Sequence, residues 1–121
     1  MPTIDVNGVE LFYQLSGSGE SPVVLVHGSW VSHHSWDAVV SRLEEPFRVL
    51  TYDRRGHSQS ERPVGQGSIR EDVADLAALI EQLGLAPAWV VGNSAGASIA
   101  LRLAAEVPQL LLGLVGHEPP L

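Results

Sequence analysis

Three short apolar runs, residues 22–26, 47–52 and 88–91, alternate along the chain with segments of helical periodicity. A continuous apolar run bounded by turn residues fits a strand covered on both faces, as in parallel sheets. Strands that alternate with helices are joined by right-handed crossovers. The expected fold class is therefore α/β, a mostly parallel sheet with helices on both faces. In such sheets ligands bind at the carboxyl ends of the strands.

Residues 3–15 read as two strands about Asn7-Gly8, a dipeptide that favours a tight hairpin turn. Ser16-Gly17-Ser18-Gly19 breaks the pattern before the first apolar run. Trp36, Val39, Val40 and Leu43 then fall on one helical face, with Ser35 as the expected cap and Pro46 closing the segment. Residues 54–67 are rich in glycine, proline, serine and charge, and read as a loop. Ser68 and Glu71 have capping-box spacing ahead of an apolar stripe of Ile69, Val73, Leu76, Ala77, Ile80 and Leu83. Gly84 sits where a left-handed C-terminal cap belongs. A small-residue helix is expected from the end of the third run to about Val107, stopped by Pro108, followed by a last strand over residues 110–115.

Composition narrows the function classes. The 121 residues suffice for one modest domain, and the 17% of charged residues is below the roughly 25% of an average soluble domain, which argues against disorder. The net charge of −7, with Arg54-Arg55 as the only adjacent basic pair, argues against a nucleic-acid partner and leaves a small-molecule substrate. The chain has no cysteine, so disulfides, thiol catalysis and cysteine-held metals are excluded, and nothing implies a metal or an organic cofactor. No signal peptide opens it and no apolar run approaches the ~18 residues of a membrane span, so no membrane partner and a cytoplasmic location are expected.

Four clusters of unusual residues fall at strand ends: His27-Gly28-Ser29-Trp30, Asp53-Arg54-Arg55-Gly56-His57, Gly92-Asn93-Ser94-Ala95-Gly96 and His117-Glu118. The third matches G-x-S-x-G at a strand-to-helix turn, the nucleophile elbow. That turn holds its serine in a strained conformation with the hydroxyl pointing out of the sheet. Side chains at positions 92 and 96 would collide with the neighbouring helix or strand. Ala95 and Gly96 open a helix whose free N–H groups favour nearby negative charge. The alternative is a plain turn with serine as an N-cap.

With these motifs in this order, the whole chain resembles the α/β-hydrolase superfamily. It looks most like small bacterial esterases, enol-lactone hydrolases and cofactor-free haloperoxidase-like members. The resemblance implies that Ser94 is the nucleophile and that the backbone N–H groups of Ser29 and Ala95 form the oxyanion hole. Relatives that open epoxides use an aspartate nucleophile, so Ser94 points instead to an acyl-enzyme on an ester, lactone or thioester. Trp30, His33 and Asn93 are candidates for contacting substrate. His33 and His34 also fit exposed polar residues at a helix start. His27 is expected to support the oxyanion loop, Asp53 to organise the Arg-Gly-His segment, and His57 to be a hydrogen-bonded loop residue. Glu118 follows the last strand, where some relatives place the triad acid; capping or a salt bridge is its other reading.

In the family the histidine base follows the final strand, which puts it beyond residue 121. The expectation is one partial domain, residues 1–121, holding strands 1 to 6, with the C-terminal strands and the cap absent, an apolar edge over residues 110–115, and weak turnover at best. The competing readings are a truncated, non-catalytic chain and a cofactor-free peroxidase or lyase on the same scaffold.

Overall fold

A computed structural model describes residues 2–65 and 67–120. Asn7 and Gly8 both take positive φ, 48° and 82°, and this tight turn joins β1 (Thr3–Val6) to β2 (Val9–Ser16) as an antiparallel hairpin. The remaining strands are β3 (Pro22–Val26), β4 (Arg48–Tyr52), β5 (Ala88–Asn93) and β6 (Leu111–His117). The sheet order is β1-β2-β4-β3-β5-β6, and every pairing from β4 to β6 is parallel.

Side chains alternate across β3, and the two faces bury against different helices. Val24 and Val26, with Leu50 and Val90, pack under α2 (Ile69–Gln82) and α3 (Ala95–Glu106). Val23, Leu25 and Val49 face the other way, against Trp36 ahead of α1 (Asp37–Leu43) and Val40 within it. Helices therefore cover both faces, as expected for a mostly parallel sheet.

The capping box at Ser68 and Glu71 is present, and Gly84 follows α2 with φ 69°. One expected cap is displaced. Ser32, not Ser35, accepts the helix-start N–H, from His34, and a 3-10 turn over His33–Trp36 precedes α1. The Ser35 hydroxyl instead donates back to the Ser32 carbonyl. The strand ends also differ: β5 and β6 run on together through Gly92↔Gly116 and Asn93↔His117. The ladder is a backbone structure, so it continues past the apolar residues that mark it in the sequence.

β6 is an edge strand, and Leu112 and Val115 on it are exposed. No helix among the described residues is long and apolar enough to cross a membrane.

β3 and β5 are neighbours, and the connection leaving β3 runs toward β4 while the one leaving β5 runs the opposite way, toward β6. The crevice between the carboxyl ends of β3 and β5 is the topological switch point, where such sheets place ligands. The loop after β3 and the turn after β5 meet there.

Candidate active site

Ser94 occupies the turn from β5 into α3 with φ 54° and ψ −122°. Positive φ is rare for a residue with a Cβ and costs about 1–3 kcal/mol, so it persists only where the surroundings impose it. Here they do. The Ser94 N–H donates to the His117 carbonyl at 2.9 Å, and the Ser94 carbonyl accepts from the Ala97 N–H at 2.9 Å. Ser94 stands at the N-cap position, yet its side chain makes no capping bond and is exposed. The geometry differs from a plain capping serine, whose backbone is extended and whose oxygen is taken by the helix.

The two glycines of the motif are needed for close approach. A Cβ on Gly92 would strike the Gly96 carbonyl and come within 2.7 Å of the Ala97 nitrogen. One on Gly96 would strike the Val26 carbonyl and reach 2.8 Å from the His27 oxygen. α3 thus sits directly on the backbone of β3. A Cβ on Gly28 would lie 3.2 Å from the Ser94 Cβ, which places the loop after β3 against the serine.

His27 holds that loop. Its ring is buried; Nε2 accepts the Arg54 N–H at 3.0 Å and Nδ1–H donates to the Gly28 carbonyl at 2.6 Å. Both ring nitrogens are engaged, in the neutral form. Burial is the main cause that lowers its pKa to about 4, only partly offset by the bond to Gly28. In a trans peptide the carbonyl and the following N–H point opposite ways, so fixing the Gly28 carbonyl also fixes the Ser29 N–H. The N–H groups of Ser29 and Ala95 have no acceptor among the described residues, and both residues line one cleft of about 1160 Å³.

His27 also yields a pH prediction. A group near 6.5 unfolded and about 4 folded binds more protons in the unfolded chain between those values. Its contribution is complete above pH ~6.5 and is lost as pH falls toward 4, by about 3 kcal/mol in all. Urea unfolding between pH 7 and 4.5 should show this loss, and His27→Gln should flatten it.

The remaining candidates separate. Trp30 lines the cleft with φ 66° and is 95% exposed. His33 does not belong on the cleft wall. It is buried, and its backbone N–H and ring Nδ1–H both donate to Asp53 Oδ1 at 2.8 Å. The short 3-10 turn directs it inward, while His34 faces the cleft. The Asn93 side chain is likewise turned from the cleft, its Oδ1 accepting from His117 Nδ1 at 2.8 Å. Its strand position pairs it with β6 instead. Glu118 follows β6 with φ 50°, exposed and without an ion pair among the described residues.

Asp53 is fully buried, and burial alone would raise its pKa. The His33 N–H, the His33 ring and the Gln59 N–H more than offset this and hold the carboxylate below its usual range. It organises the loop, as expected, and His57 is bonded to the Arg55 carbonyl within it. Two partners of this loop were not visible in the sequence pattern. Asp72 on α2 pairs with Arg54 at 3.1 Å, and Asp75 takes Arg55 through both oxygens at 2.7 and 3.0 Å. The signal was present as two acids spaced i, i+3 inside the apolar stripe.

No cluster of metal-ligating side chains occurs among the described residues, and no hydrogen bond joins Ser94 Oγ to a histidine there. The arrangement offers an exposed hydroxyl on a strained backbone, packed against the loop after β3, and two nearby residues whose N–H groups have no acceptor among the described residues.

The family described as the alpha/beta hydrolase fold matches residues 21–121. The bifunctional esterase/perhydrolase DCH of Acinetobacter calcoaceticus is 34% identical over 120 residues, covering 95% of this chain and 44% of that protein. The enol-lactonase of Burkholderia xenovorans superposes with a TM-score of 0.89 at 34% identity, over 93% of this chain and 45% of its own. An epoxide hydrolase of Bacillus megaterium superposes at 0.92 with 30% identity, over 98% and 42%. The chain spans less than half the length of these relatives. On its motifs, its topology and these likenesses, the chain belongs to the alpha/beta hydrolase fold family.

Proposed function

We propose that this chain carries the nucleophile and oxyanion-binding half of a serine hydrolase for an ester, lactone or thioester. The observation that supports it most is the uncapped, exposed Ser94 held at φ 54°, directly ahead of Ala95, whose N–H has no acceptor among the described residues. Ser94 Oγ attacks the carbonyl carbon and passes its proton to a general base, which returns it to the leaving group. The carbonyl oxygen becomes an oxyanion, held by the Ser29 and Ala95 N–H groups. The bond to the leaving oxygen or sulfur then breaks, and the alcohol or thiol departs with a proton. Water attacks the acyl-enzyme, releases the carboxylic acid and restores Ser94.

Glu118 is the proposed acid that orients the base, from its place after β6 beside the elbow. Trp30 is the proposed contact for the substrate's apolar part. The same reading puts Asn93 beside the site as a support for the β5–β6 end rather than a substrate ligand.

The test separates acyl from epoxide chemistry, since a neutral serine is a poor opener of epoxides and aspartate is the nucleophile used for that reaction. Protein from the native source should hydrolyse aryl esters and leave aryl epoxides intact, and Ser94→Ala should lower ester turnover by about 10³-fold or more. Epoxide turnover that survives Ser94→Ala would sink the proposal.

A further inference from the structure

The whole chain is acidic, with 14 carboxylates against seven basic residues, all of them arginine. The cleft reverses this balance: three arginines, Arg54, Arg55 and Arg62, line it, and among the described residues Asp72 is the only carboxylate side chain that does. Two of the three cations are already committed. Arg54 is held by Asp72, and Arg55 by Asp75 and Glu71, so they build the wall and carry little uncompensated charge.

Arg62 is different. It is exposed, it has no carboxylate within ion-pair distance among the described residues, and its one bond there is from Nη2 to the Ser58 carbonyl at 3.4 Å. Its neighbour Glu61 is turned away toward β2, where its carboxylate accepts the Glu10 N–H at 3.0 Å. The guanidinium therefore keeps most of its planar donor fork open on the wall of the cleft that also holds Ser29 and Ala95.

We propose that the cleft selects acyl substrates that carry a carboxylate of their own, held by Arg62 while the scissile carbonyl lies at Ser29 and Ala95. This names the substrate class for the hydrolase reading above and rests on it. A planar carboxylate matches the guanidinium fork in two parallel hydrogen bonds. A neutral substrate leaves that cation unpaired in the cleft.

The test uses the full chain and two unreactive probes of equal shape, phenylbutyrate and phenylbutyramide, titrated calorimetrically at neutral pH and low salt. The acid should bind about five- to tenfold tighter than the amide, and Arg62→Gln should abolish the difference, because the gain is one charge-assisted pair. The preference should also shrink at high salt. Arg42→Gln, on exposed α1 away from the cleft, should change nothing. Equal affinities, no binding of either probe, or a preference that survives Arg62→Gln would overturn the proposal. Fluorophosphonate labelling of Ser94 on the same protein keeps the two readings apart. A labelled serine without carboxylate preference sinks only the anion site. A preference lost in Arg62→Gln with no labelling supports the anion site and sinks the hydrolase reading.

Discussion

Gly96→Ala should destabilise the chain sharply, lowering its urea midpoint. A single methyl group is enough because what it meets is backbone: the Val26 carbonyl in direct collision, and the His27 carbonyl at 2.8 Å. A flexible side chain could swing aside, but these carbonyls are backbone at the end of the central strand. α3 would have to lift off the sheet, opening the contacts of Ile99, Ala100 and Leu103, all 1% exposed or less. The cost should exceed about 3 kcal/mol, a large share of the 5–15 kcal/mol that holds a typical domain together. Gly67→Ala is the control, because its new methyl group would find only the Glu71 carboxylate, at 3.8 Å. Far-UV circular dichroism and urea midpoints of the two variants check the contrast; a Gly96→Ala chain within 1 kcal/mol of wild type would contradict the close docking of α3.

Ser94→Gly should do the reverse to stability and destroy reactivity. Glycine adopts positive φ without the Cβ conflict, which relieves about 1–3 kcal/mol of strain. Its greater freedom in the unfolded chain takes back about 0.5–1 kcal/mol. The expected balance is a gain near 1 kcal/mol, read as a higher urea midpoint. The same variant should show only background fluorophosphonate labelling. A serine whose removal stabilises the fold is kept for what its hydroxyl does. A Ser94→Gly chain less stable than wild type would show instead that the serine contributes a structural contact.

Much of this was legible in the residues because the physics is local. Asn7-Gly8 needs positive φ twice, and both residues have it. Ser68 and Glu71 satisfy each other across one helical turn, a pairing written in their spacing. The glycines at 92 and 96 announced backbone contact, and the contacts are with α3 and β3.

Where the reading fell short, the deciding partner was remote in sequence. Ser32 and Ser35 are equally good caps by type. The choice fell to Ser32 because Asp53, 20 residues away, draws the His33 N–H and ring inward and sets the turn one step earlier. The same bond takes His33 off the cleft, which helix periodicity alone could not reveal. Asp72 and Asp75 interrupt the apolar stripe of α2, and only the loop after β4 explains them, since it delivers Arg54 and Arg55 to that face. These buried pairs have a further role: they fix the peptide of Arg54, whose N–H holds His27, whose ring in turn fixes the Ser29 peptide. The loop after β3 is thus positioned from α2, through three links that no motif records.

The most direct measurement is fluorophosphonate labelling of the protein from its native source, with the modified residue located by peptide mass spectrometry. A single phosphonate on Ser94, absent in Ser94→Gly, is the expected result. A folded protein that remains unlabelled, or that carries the phosphonate on another serine, would contradict the assignment of Ser94 as the nucleophile.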